Sequence, residues 1–130
     1  MIKIVGNGKG IIQMNKLMLT LSVLFCGVAH AECKTANVYS DIECYEKQLK
    51  SDKANMNKIY NKLASNLDSE GKAMLEGSQK AWLDYRTKQC SGLMGYYGSQ
   101  ALGAGSRLII LSCEADKTKE RLNELKSLDL

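Results

Sequence analysis

Few residues in this chain could do chemistry, and their spacing argues against most of it. The single histidine, His30, stands in what reads as a removable leader. The remaining sequence therefore has no imidazole for Ser-His or Cys-His nucleophilic catalysis, or for a histidine metal site. Glu76 and Asp84 invite comparison with the paired carboxylates of glycoside hydrolases. They lie eight residues apart, which on one helix is about 12 Å along the axis. That exceeds the separations used by either glycosidase geometry, so both read as part of a solvated face. The remaining reactive side chains are Cys33, Cys44, Cys90 and Cys113, spaced 11, 46 and 23 residues apart. An even count in a short exported chain reads as a disulfide framework. A four-cysteine zinc site is the competing reading, but it prefers close pairs of ligands. No cofactor, no metal and no enzymatic activity are expected.

The export reading rests on the first part of the chain, which needs separating from the fold. Asn15 and Lys16 open a short polar start, and Leu17 to Ala29 form an apolar run of thirteen residues. Ala29-His30-Ala31 then offers a small-x-small cleavage signal, placing the exported start at Glu32. A spanning helix needs roughly 20 apolar residues, and a buried core helix leaves the cleavage signal unexplained. Lipoprotein processing requires a small residue before the lipidated cysteine, whereas Phe25 precedes Cys26. A soluble periplasmic or secreted protein without a stable membrane anchor is the expectation. Met1 to Gln13 fit no part of a leader. Gly8-Lys9-Gly10 requires purine-rich codons resembling a bacterial ribosome-binding site, three codons upstream of Met14. Translation is expected to start at Met14, dividing the chain into an upstream extension (1–13), a leader (14–31) and one domain (32–130).

That domain has 99 residues, enough for one modest core. Of the 18 basic residues, Lys3, Lys9 and Lys16 precede Glu32, leaving 15 against 14 acidic ones. So balanced a charge offers no footprint for nucleic acid and no strong steering toward a charged partner.

The elements that must position these side chains are helices, because apolar residues recur at helical spacing and proline is absent. The S-x-x-E pair Ser40 and Glu43 predicts a capping box opening the first helix. Its apolar stripe is Ile42, Tyr45, Leu49, Met56, Tyr60, Leu63 and Leu67. Asp68 or Ser69 caps a second helix with Met74, Leu75, Ser78, Trp82, Tyr85 and Gln89 inward. Gly92 to Gly105 is glycine-rich and reads as mostly loop. Ser106 caps a third helix with Leu108, Leu111, Ala115, Leu122 and Leu125 inward. The fold class expected is all-α, a small up-down-up three-helix bundle stapled by two disulfides. Level positions on such a bundle favour Cys33–Cys44 with Cys90–Cys113, and leave Cys44–Cys90 with Cys33–Cys113 as the alternative.

Two groups of residues are candidates for binding a protein partner. Tyr96, Tyr97 and Ser99 sit on the neutral glycine-rich segment, the composition that paratope-like surfaces use, although a plain connector reads equally. Trp82 and Arg86 share one helical face, where they form either a recognition surface or a cation–π contact within the core. Asn57 and Gln79, polar at near-core positions, read as groups that hydrogen-bond between helices or to the turn, with ligand contact as the other reading.

The order Asp52-x-x-x-Met56-Asn57-x-x-Tyr60, then Gln79-x-x-Trp82-x-x-Tyr85-Arg86-x-x-x-Cys90, then Gly105-Ser106 leading to Cys113, Arg121 and Leu125, resembles the LprI-type lysozyme-inhibitor-like family of small secreted bacterial proteins. Cys33-x10-Cys44 is similar to that family's N-terminal pair. The family takes its name from a lipid-anchored member that inhibits lysozyme. The resemblance implies a non-enzymatic binding protein whose partner is a lysozyme-type muramidase or another cell-wall-cleaving enzyme. The alternative is an envelope-interaction or stress-related module docking through the Trp82–Arg86 face.

Overall fold

In the computed structural model the described residues are 33–129. The leader, its cleavage point and the Met14 start lie outside them. Among the described residues the fold is all-α, three long helices running up, down and up, with both disulfides in place between Cys33 and Cys44 and between Cys90 and Cys113.

Helix α1 spans Val38–Asn66, and its start corrects the expected capping box. The cap is Asn37, whose side chain accepts hydrogen bonds from the Tyr39 and Ser40 backbone N–H groups at 3.0 and 3.2 Å. Asn is among the strongest N-caps because its short side-chain oxygen reaches these unpaired donors. Asp41 reaches backward, accepting the Thr35 N–H at 2.7 Å, and so pins the segment carrying Cys33 to the helix. Glu43 pairs instead with Lys47, one turn on. The expected stripe is otherwise in place. Ile42, Tyr45, Leu49, Met56 and Leu63 are buried, Tyr60 is half-buried, and Leu67 has left the helix and is exposed.

Helix α2, Ser69–Thr87, is capped by Asp68, which accepts the Gly71 N–H at 2.8 Å. Its inner face is narrower than the sequence suggests. Leu75 is buried and Trp82 and Gln89 half-buried, but Met74, Ser78 and Tyr85 face water. The reason is the bundle's asymmetry: the long first and last helices share the most extensive interface, while α2 touches α1 only sparsely.

The expected glycine loop is largely helical. After Thr87 the chain widens into a π-helical stretch, Lys88–Met94, in which the Gly95 N–H reaches the Cys90 carbonyl five residues back. It then forms a single turn, α3, Gly95–Gly98. Only Ser99 to Ala104 are irregular, with Gly103 at a φ of 63°, a conformation that favours glycine. Helix α4, Gly105–Ser127, follows with Ala104 as its first flanking residue and no side-chain cap, so Ser106 lies inside the helix.

Two apolar clusters tie these elements together. One joins Met56, Leu63, Leu75, Leu122 and Leu125, with Trp82 packed against it. The other, nearer the start of α1 and α4, joins Cys33, Tyr45 and Ala115, with Leu108 and Leu111 alongside.

Candidate functional site

The Gln79-to-Cys90 segment is built from residues at offsets of three, seven and eleven from Gln79, which share one stripe of a helix. Each makes a contact into the bundle. Gln79 Nε2 lies 3.7 Å from Met56 Sδ, and its Oε1 accepts from Arg121 Nε at 3.1 Å. Trp82 packs on the Met56 cluster and carries the Arg86 guanidinium 5.0 Å from its ring centroid. Arg86 donates to Thr118 Oγ1 at 3.1 Å. Cys90, fully buried, closes the stripe through its bond to Cys113. Trp82 and Arg86 therefore sit at the seam between helices. Asn57 is exposed, so of the two polar near-core candidates only Gln79 bridges helices.

The seam contains polar groups whose cost is offset by specific partners. Thr118 is fully buried on α4; its hydroxyl donates to the Glu114 carbonyl at 2.7 Å while accepting from Arg86. Arg86 Nε is buried without a hydrogen-bond partner among the described residues, which leaves the guanidinium dependent on Thr118 and the indole. Thr118→Val, which keeps the shape and deletes the acceptor, is expected to cost about 1–3 kcal/mol, the penalty for a buried donor left unmade. Thermal denaturation checks this, and an unchanged melting temperature refutes a structural role for the contact.

The carboxylates considered for catalysis are on the outer face. Glu76 pairs with Lys80 and Asp84 with Lys88, each one turn apart and exposed. The Lys80 hydrogen bond, reinforced by its charge, holds the Glu76 carboxyl below its ordinary pKa. A general acid needs the opposite shift.

Tyr96, Tyr97 and Ser99 gather at the far end of α2, on and just beyond α3. Both rings are largely exposed and meet edge to face, with centroids 5.6 Å apart. Ser99 turns its hydroxyl inward, donating to the Tyr96 carbonyl at 2.6 Å, and so fixes the turn. This tip is anchored rather than loose. The Cys90–Cys113 bond ties its base to α4, and Gly98 is buried against Ser106, where an added Cβ would come within 3.4 Å of backbone. The sequence reading missed Leu93 and Leu102, both exposed at the same end. The signal that could have found them is the absence of any charged residue between Lys88 and Arg107.

No helix among the described residues is long and apolar enough to cross a membrane, and no cluster of potential metal ligands occurs among them. A shallow groove of about 300 Å³ lies elsewhere, lined by Ser40, Glu43, Cys44 and Lys47. Compared with known proteins, residues 31–125 match the family model described as lysozyme inhibitor LprI. Comparison with curated proteins and with solved structures finds no significant match.

Proposed function

We propose, from the premise that the chain belongs to the lysozyme inhibitor LprI family, that it is an exported, non-enzymatic protein that binds and inhibits a lysozyme-type cell-wall-cleaving enzyme. The observation that carries this reading is the extent of the family match, which covers residues 31–125 and so nearly all of the helical domain. Two disulfides agree with an oxidising compartment outside the cytoplasm. The contact surface in this reading is the Tyr96–Tyr97–Ser99 tip. Two exposed rings on a fixed turn present apolar area at low entropic cost, the feature that makes tyrosine common in interfaces.

Lysis of a bacterial cell suspension by lysozyme tests the proposal. The purified protein is expected to slow clearing of the suspension. Exchange of Tyr96 and Tyr97 for Ala is expected to weaken inhibition by roughly tenfold or more, as for central aromatic residues of an interface. The melting temperature should scarcely move, because neither ring belongs to a core cluster. No slowing at large molar excess of the protein would refute the inhibitor reading. A second reading, an envelope-interaction module, is favoured by one observation, the uncharged end of the bundle.

A further inference from the structure

From Gln89 to Ser106, eighteen consecutive residues carry no charged side chain, in a chain where one residue in four is charged. This stretch caps one end of the bundle. Four large side chains stand out from it into water: Leu93, Tyr96, Tyr97 and Leu102, the last 95% exposed at the turn before α4. Isolated exposed apolar residues are ordinary, but four within ten residues of chain, two of them in ring contact, point to an interaction surface. The Ser99 hydroxyl is spent on the tip's own backbone, and the exposed polar groups that remain, on Ser91, Gln100 and the two tyrosines, are all uncharged.

Charge places the boundary of the patch. Lys88 and Arg107 bracket it in sequence, and both side chains are mostly exposed. Lys88 pairs with Asp84 and Arg107 with Glu46, but exposed ion pairs hold weakly and rearrange readily. No acidic side chain lies within the patch itself. The chain also enters the domain near this end: Cys33 packs with Leu108 and Leu111 in the opening turns of α4.

An apolar tip carrying leucine and tyrosine, free of acid and flanked by long basic side chains, has the composition of a bilayer interface. Leucine enters the acyl boundary, tyrosine prefers the headgroup level, and lysine or arginine stems reach back to anionic phosphates. We infer that this end of the bundle docks reversibly on the surface of an anionic phospholipid bilayer, with Leu102 as the deepest residue. The inference goes beyond the inhibitor reading and does not depend on it. Docking would cover Tyr96 and Tyr97, so membrane and enzyme would compete for one tip.

The test is flotation of the exported protein with vesicles of phosphatidylethanolamine and phosphatidylglycerol, with no enzyme present. The protein is expected to float with these vesicles and far less with phosphatidylcholine alone. Leu102→Asp is expected to lower the floated fraction by about fivefold, since the aspartate carboxylate must stay in water. Its melting temperature should be unchanged, because no core cluster includes Leu102. Leu128→Asp, an exposed leucine just after α4 at its C-terminus, should float as the wild type does. Absence of flotation, or equal loss from the two substitutions, overturns the proposal. So does a dimer that forms without vesicles, fails to float and is broken by Leu102→Asp, which would assign the end to a second copy of the chain.

Discussion

Trp82→Ala is expected to lower the stability of the domain by about 3 kcal/mol, near the lower end for loss of a large aromatic from packing. The ring is half-buried rather than enclosed, which removes part of the full penalty. It nevertheless fills the space beside Met56, Leu63, Leu75, Leu122 and Leu125. Its loss also removes the surface on which Arg86 rests, a cation–π contact worth ~0.5–2 kcal/mol. In a domain of this size the change in melting temperature should reach roughly 12 °C or more, read by thermal denaturation at one fixed pH. The fraction still folded should slow lysozyme as the wild type does. If instead the melting temperature holds while inhibition disappears, Trp82 and Arg86 are the contact surface and the tyrosine tip is not.

The second large effect is expected from the disulfides, and the two should differ. Closing a loop restricts the unfolded chain more as the loop lengthens, so the 23-residue Cys90–Cys113 loop should contribute about 3.5 kcal/mol. The 11-residue Cys33–Cys44 loop should contribute about 3 kcal/mol. Exchange of Cys90 and Cys113 for Ala should therefore lower the denaturant midpoint further than the same exchange at Cys33 and Cys44. Cys90 is also fully buried at the base of the tip, so the first exchange should act locally as well. Hydrogen exchange is expected to become fast across Gly95–Gly98 while the α1–α4 interface stays protected, because the tip loses its covalent tie to α4 and is held by packing alone, against Ser106 and Ile110 among others. A larger loss from the Cys33–Cys44 exchange would contradict the loop-length argument.

What was legible in the sequence follows from periodicity and from residue chemistry. The stripe Ile42, Tyr45, Leu49, Met56 and Leu63 is buried because 3.6-residue spacing puts these positions on one face, whatever that face meets. Asp68 or Ser69 was visible as a cap for the same local reason, a short side-chain oxygen that reaches donors two or three residues on, and the structure selects Asp68. The four cysteines of the domain were readable as two bridges, and the residues of the Gln79-to-Cys90 segment carried the family resemblance. Their spacing alone could not say whether Trp82 and Arg86 faced a neighbouring helix or a partner.

Tertiary structure decided the glycine-rich segment. Glycine has low helix propensity because it loses the most backbone entropy on folding, so by local rules residues 92–105 read as a loop. The chain continues as π-helix and α3 because this stretch packs along α4, with the Cys90–Cys113 bond at its base. A Cβ on Gly95 would meet Ile110 at 3.6 Å, and one on Gly98 would meet the Ser106 backbone at 3.4 Å. Both are ordinary contact distances, so the packing of the α2 extension on α4, held by the Cys90–Cys113 bond, rather than the glycines themselves, sets its helical course. Close approach is a relation between two helices distant in sequence, and only the folded bundle determines it.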